Sequence, residues 1–423
     1  MTRPREFTKF DFLLTLAGFV LYLVDVTTDV WVAALYFSEG HFIWCALVVT
    51  VTLVSATILQ SFSWSWYKDD EERQQDNSEM DCPHNQGCKG AGLCVMHIFQ
   101  MGMPLRFIKA LVTGYKAAFK QEDTHMAVIY EVTDLSMLRL FEAFLETIPQ
   151  LLLQTFILLV SADRDYIQYG SVIASCMSIS WATLDYYAAL KKSLFTQQRV
   201  TCGFPYVTYF SYKLLTLGAR ILSIILLVIL HPLIAVAYLV VLWLIMFICV
   251  LMQKTTFCKS NCQEIIYRIV VGIILLFTFF NIKGQNTRVV MTFYYLFRTV
   301  ETTAILLLYW FLKGFPRDRG YDLPISITVG LSFIIGIGCL LLFYKCFHPH
   351  VYSEAATDED SNHSERFSDE VDNSQRVPDE VDGVRPEIPA VRLNNINENS
   401  SMIHSPVPHP RIGNSRITSC LTF

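Results

Sequence analysis

No glycine loop built to cradle a phosphate occurs in this sequence, and neither His-Glu-x-x-His nor Gly-x-Ser-x-Gly is present. The residue patterns of nucleotide-driven, zinc-hydrolase and serine-hydrolase chemistry are therefore missing. Tight Cys-x-x-Cys pairs, the usual frame of a zinc site, are missing too. Cys45, Cys176, Cys249 and Cys339 lie in apolar stretches and read as small buried hydrophobes, while Cys82, Cys88 and Cys94, and later Cys258 and Cys262, sit in polar loops. The pattern implies no metal, no cofactor and no catalytic centre. Charge is scarce as well: Asp, Glu, Lys and Arg make up 17% of the chain, and the runs Phe12 to Tyr22, Ile221 to Leu230, Ala235 to Val250 and Ile325 to Phe343 carry none.

Such runs, alone or extended, are long enough to cross a hydrocarbon core of about 30 Å. Lipid leaves every backbone amide and carbonyl to be paired within the protein, and the runs are too long and too uniformly apolar for barrel strands. The sequence predicts an all-α polytopic membrane protein. Helices are expected near Phe10 to Phe37, His41 to Trp66, Leu93 to Phe119, Met126 to Val160, Tyr166 to Leu190, Tyr206 to Leu230, Leu233 to Met252, Gln263 to Phe280, Arg288 to Leu312 and Pro324 to Phe347. The third carries Arg106 and Lys109 beside Pro104, and the eighth is short and ends in Asn281-Ile282-Lys283-Gly284. Both read as re-entrant pieces. About eight spanning helices and two re-entrant helices then form two pseudo-symmetric repeats, residues 1–200 and 201–347.

Arg3, Arg5 and Lys9, then Lys191, Lys192 and Arg199, then Lys254 and Lys259 fall on one side of that topology, which makes both termini cytosolic. Turns at Ser38 to Gly40, Ser161 to Asp165 and His231 to Pro232 leave little ectodomain. Trp64, Trp66 and Tyr67 read as interfacial anchors. From His348 onward the chain carries 13 acidic residues against 6 arginines and is rich in Ser, Asn and Pro. Residues 348–423 are thus expected to be a disordered acidic cytosolic tail.

The informative residues are ionisable ones at membrane depth, each costing about 2.5–3.5 kcal/mol at a helix centre on insertion scales. Asp25 and Asp29 stand four apart on the first helix; Arg139, Glu142 and Glu146 are spaced by three and four just before Pro149, which should bend their helix; Asp185 adds a fifth acid. Five carboxylates against one arginine call for water or a cationic ligand. A polar stripe of this kind could conduct ions, carry a zwitterionic solute or hydrate phospholipid headgroups; its simpler reading is structural helix-to-helix pairing. Arg298 and Glu301 form an i, i+3 pair and Arg220 stands alone in its helix, and those three read as structural. Glu142 and Glu146 share one helix, whereas intramembrane aspartyl chemistry needs acids from separate helices.

The tail holds Asp369-Glu370-Val371-Asp372 and, ten residues on, Asp379-Glu380-Val381-Asp382-Gly383. Each spells DEVD, the preference of executioner caspases, in a segment extended enough to enter a protease cleft. Cleavage is expected after Asp382, with its small following glycine, and secondarily after Asp372. A cut at Asp382 would release the apolar end Cys420-Leu421-Thr422-Phe423, which could serve as a latch.

Several stretches resemble the XK-related family along essentially the whole membrane region. They are Val24-Asp25 to Asp29-Val30-Trp31, Ser61-Phe62-Ser63-Trp64-Ser65-Trp66, Asp134 through Glu146, Pro149-Gln150, Ile179-Ser180-Trp181 with Asp185-Tyr186, and Phe279-Phe280-Asn281-Ile282-Lys283-Gly284-Gln285-Asn286-Thr287. The chain looks most like the caspase-activated members. The resemblance implies calcium-independent phospholipid scrambling at the plasma membrane, exposing phosphatidylserine in apoptosis once the tail is cut. It makes Asp25, Asp29, Arg139, Glu142, Glu146 and Asp185 the lining of the lipid path. One branch of the family has an arginine three residues after the last of these acids, where this chain has Ala188. The implied partners are phospholipids, an executioner caspase and, in some members, a single-span chaperone subunit; nucleic acid is not among them. A solute transporter or channel using the same carboxylates, and a non-transporting membrane partner, are the alternatives.

Overall fold

The computed structural model describes residues 6–77, 86–120, 122, 124–160, 166–193, 203–253, 255, 257–281, 287–313 and 322–346. Asp372, Asp382, the rest of the acidic tail, Arg3, Arg5, Arg199, Lys254, Cys82 and the turn at 161–165 lie outside the described residues. Among the described residues the secondary structure is helical throughout, with no strand. The helices are α1 (Lys9–Ser38), α2 (Phe42–Asn77), α3 (Gln86–Ile98), α4 (Gly102–Phe119), α5 (His125–Glu142), α6 (Ile148–Val160), α7 (Tyr166–Ser193), α8 (Phe204–Leu230), α9 (Pro232–Met252), α10 (Asn261–Phe277), α11 (Thr287–Lys313) and α12 (Asp322–Cys346).

Local chemistry sets several ends. Thr8 caps α1 with a capping box: the Asp11 amide donates to Thr8 Oγ1 (3.2 Å) and the Thr8 amide donates to Asp11 Oδ2 (2.7 Å). Pro205 and Pro232 occupy the first turns of α8 and α9, where a missing amide costs nothing. Between α5 and α6 the chain stays helical but widens into a π-helical turn, Ala143–Thr147, directly before Pro149. The irregularity expected at Pro149 thus takes the form of a wider turn in a continuous helix, the kind of local adjustment that absorbs a missing amide.

Six helical stretches are long and apolar enough to cross a membrane: Lys9–Ser38, Phe42–Asp70, His125–Leu159, Phe204–Leu230, Pro232–Met252 and Asp322–Cys346. The helices α7 and α11 match these in length but are more polar, and α11 carries Arg298 and Glu301. The third expected helix is two pieces, α3 and α4, separated at Gln100, which adopts a left-handed backbone with φ of 62°. Outward faces are apolar, as lipid requires: Leu13, Val20, Val24 and Val30 on α1, and Ile234, Val241, Ile245 and Ile248 on α9 are exposed.

Lipid tails are as apolar as leucine, so helices here associate through close packing and internal hydrogen bonds rather than expulsion of water. The main core is aromatic: Phe62, Trp66, Phe107, Phe141, Phe144 and Tyr267 are buried together. Trp66 is therefore a core residue, 1% exposed, and not the interfacial anchor expected from sequence, because the second half of α2 packs against α4 and α5. The helix α12 lies along α8. Gly336 permits this, since a Cβ there would stand 2.8 Å from Thr216 Cγ2 and 3.1 Å from the Thr216 amide nitrogen.

Candidate functional site

The face of α1 that turns inward reads Asp11, Thr15, Gly18, Tyr22, Asp25, Asp29, a chain of i+3 and i+4 steps. Asp11 and Asp29 are five full turns apart, about 27 Å along the axis, close to the thickness of a hydrocarbon core. Thr15, Gly18 and Asp29 on this face are buried, and Tyr22 and Asp25 are half-buried. One polar face of α1 thus runs the depth of a bilayer while its other faces are apolar.

Across from it stand the acids of α5, the π turn and α7. Arg139 Nη1 lies 3.5 Å from Asp185 Oδ2, joining α5 to α7. The same guanidinium rests on α1: a Cβ at Gly18 would come within 2.6 Å of Arg139 Nη1. Glu142 feels the charges of Asp25, Arg139 and Asp29, and the carboxyl of Glu146, carried on the π turn, reaches hydrogen-bonding distance of Asp29. The six residues singled out from sequence therefore come together between α1, α5 and α7. Among the described residues, no basic side chain pairs at ion-pair distance with Asp25, Asp29, Glu142 or Glu146. Four acids without a cation of their own at membrane depth are accommodated by water, by a cationic group or by protonation.

At one end of this stripe a cavity of about 110 Å³ opens between α1, α5 and α7, with Asp11, Arg139, Asp185 and Lys192 in its lining. Lys192 Nζ donates to Asp11 Oδ2 at 2.5 Å. Ala188 lines the same cavity one turn before Lys192. Lys192, which the sequence marks only as a cytosolic-side charge, and Asp11 each sit near a helix end, where a charge is ordinary and does not point to a site; the i+4 step from Ala188 to Lys192 is the available signal.

A second polar cluster is built differently. The last carbonyls of α10 have no intrahelical donor, and Thr278 leaves the helix in an extended conformation. Arg298 Nη2 donates to Leu275 O (2.6 Å) and Leu276 O (2.8 Å), Arg220 Nε to Leu276 O (3.1 Å), and Lys213 Nζ to Thr278 Oγ1 (2.8 Å) and Phe279 O (3.0 Å). Glu301 accepts from Arg298 Nη1 at 2.5 Å and from the Tyr238 hydroxyl, and its Oε1 forms an ion pair with Arg220 Nη1 at 2.7 Å. Arg220, expected from sequence to be a structural charge, is thus paired across helices. Cations at a helix C-terminus complement its dipole, and here they come from α8 and α11. Lys213 stands seven residues before Arg220, an offset that puts both on one face of α8 and is the sequence signal for it.

Other polar contacts tie α4 into the bundle. Arg106 donates to Ser63 Oγ and Ser63 O, both at 3.0 Å, and Lys109 lies 3.4 Å from Glu131. Among the described residues no group of three or more His, Cys, Asp or Glu side chains could hold a metal ion. Of the cysteines read as buried, Cys45, Cys176 and Cys339 are partly so, while Cys249 is exposed on α9.

An all-helical chain with several apolar spans and a polar stripe at their depth is a multi-pass membrane protein. The profile of the XK-related protein family matches residues 13–349, and this chain belongs to that family. The match ends where the acidic tail begins. Among curated relatives, XK-related protein 9 of Tetraodon nigroviridis is 34% identical over 81% of this chain and 92% of its own length. XK-related protein 8 of Gasterosteus aculeatus is 29% identical over 84% and 87%, and XK-related protein 8 of Pan troglodytes 31% over 80% and 84%.

Proposed function

We infer that this protein is a calcium-independent phospholipid scramblase of the plasma membrane, switched on by caspase cleavage of its C-terminal tail. It exposes phosphatidylserine in apoptosis. The observation that carries the reading is the stripe from Asp11 to Asp29, which faces Arg139, Glu142, Glu146 and Asp185 and spans about a bilayer's thickness. A headgroup that follows such a stripe keeps its charges solvated while its acyl chains stay in lipid, so the barrier that normally blocks flip-flop falls. Flow is downhill and uses no nucleotide and no covalent chemistry.

In this reading α7 and α11 join the six apolar stretches to give eight spans. The helices α4 and α10 enter and leave by one side, giving two repeats over 1–200 and 201–347. Both termini face the cytosol, and the tail from 348 holds the path closed until Asp382 or Asp372 is cut. Cells lacking other scramblases and expressing the wild type should expose phosphatidylserine after caspase activation; cells expressing Asp372→Ala/Asp382→Ala should not. Equal activity of the two places the switch elsewhere. Saturable solute uptake or ionic current without lipid movement replaces the scramblase by a transporter or channel.

A further inference from the structure

The cavity between α1, α5 and α7 has an ion pair at each end. Lys192 and Asp11 lie at its outer end, near the start of α1 and the finish of α7. Arg139 and Asp185 lie at its inner end. Asp185 and Lys192 are seven residues apart on α7, and Asp11 and Gly18, the seat of Arg139, are seven apart on α1. Each interval is two helical turns, about 10 Å. The walls between are mostly apolar, with Leu14, Ile129, Val132 and Ala188, and carry the hydroxyl residues Thr15 and Ser136.

We propose that this cavity is a headgroup vestibule, in which a zwitterionic phospholipid headgroup enters the stripe by exchanging ion pairs with Asp11 and Lys192. The inference rests on the scramblase reading and adds to it an entry site and a residue that guards it.

Three observations support exchange over a permanent structural bridge. Asp11 Oδ2 also accepts from the Thr8 amide (2.7 Å) and the Thr8 hydroxyl (2.6 Å), so it keeps two donors when Lys192 leaves. Lys192 Nζ lies 5.6 Å from the centre of the Phe7 ring and is about one-third exposed, so it too is not stranded. Both pairs hold a cation and a carboxylate on different helices. A headgroup carrying a phosphodiester and an ammonium can satisfy both members of such a pair at once, whereas a simple anion satisfies only the cation and leaves the carboxylate unmatched. Ala188, small and midway between the pairs, leaves the cavity open at the point a headgroup must pass.

The test uses the full chain, reconstituted in phosphatidylcholine vesicles and cut with caspase, with the transbilayer rate of a fluorescent phosphatidylcholine as readout. Lys192→Gln should scramble about fivefold more slowly and Lys192→Arg within about twofold of the wild type, the scale expected for one exposed charge pair. Asp11→Asn keeps an oxygen for the Thr8 amide but removes the partner of the choline ammonium, so it should slow phosphatidylcholine about fivefold and leave fluorescent phosphatidylglycerol, which has no ammonium, within about twofold of the wild type. A purely structural bridge would make Lys192→Gln and Asp11→Asn slow phosphatidylcholine and phosphatidylglycerol alike, and that result overturns the proposal. Millimolar inorganic phosphate should leave the wild-type rate unchanged; inhibition reassigns the cavity to a free anion. A wild type that scrambles while Lys192→Gln matches it sinks the vestibule alone, and a wild type that does not scramble sinks the scramblase reading with it.

Discussion

Gly18 and Arg139 show how one missing side chain can place a charge. The guanidinium packs where a Cβ would sit, 2.6 Å from the position that atom would take, so α1 can press against the only arginine of the stripe. Gly18→Val should displace Arg139 from Asp185, at a cost of about 1–3 kcal/mol from overpacking, and cut lipid scrambling about tenfold at equal surface abundance. Lipid transport by surface-normalised cells measures this. Glu301 makes the opposite case, a carboxylate whose work is structural. It neutralises Arg220 and Arg298 at 2.7 and 2.5 Å, and removing it leaves two buried guanidinium groups without their acid. Glu301→Ala should cost about 3–5 kcal/mol, seen as a lower midpoint in thermal unfolding of the detergent-purified protein.

At the scale of elements, two devices organise the bundle. The first is the cation clamp on the carbonyl end of α10, where donors from α8 and α11 satisfy groups that lipid cannot. The second is the close pairing of α12 with α8 over Gly336. Gly336→Leu should drive these helices apart and lower the unfolding midpoint by an amount corresponding to about 1–3 kcal/mol, with no effect on caspase cleavage of the tail measured on gels. The helices themselves were legible in the sequence wherever apolar runs were long: α1, α8, α9 and α12 start and stop within a few residues of the expected bounds. What hydropathy could not supply was the break at Gln100 and the π turn before Pro149. The break is held by a tertiary partner, the Gly102 amide donating to Gln60 Oε1 at 3.0 Å, which no local pattern records, and at Pro149 a bend is what the sequence suggests while the wider turn is one of several ways to absorb a missing amide. Trp66 was misread for the same reason, since an aromatic at the end of an apolar run looks alike whether it meets headgroups or Phe62 and Phe141.

For the molecule as a whole, the two halves of the membrane region carry opposite charge. The N-terminal half sets five carboxylates against Arg139, while the C-terminal half sets Lys213, Arg220 and Arg298 against Glu301. Only the second set is used up in capping a helix end and in close ion pairs. Of the first set only Asp185 meets a cation, Arg139 at 3.5 Å, and this asymmetry is the reason the proposed transport path is assigned to the N-terminal half. The six stripe residues could be named from sequence because a charge in an apolar helix is conspicuous. The cavity at their end could not, because it forms where α1 rests on α2 and α4 and stands off from α5 and α7. The most direct test reconstitutes the caspase-cut chain in sealed vesicles with fluorescent phosphatidylserine on both leaflets and adds a membrane-impermeant quencher. If the stripe carries headgroups, quenching should run well past the outer-leaflet half for the wild type and stop near half for Glu142→Gln/Glu146→Gln, with both proteins folded. Quenching of the double variant as deep and as fast as that of the wild type would contradict the account.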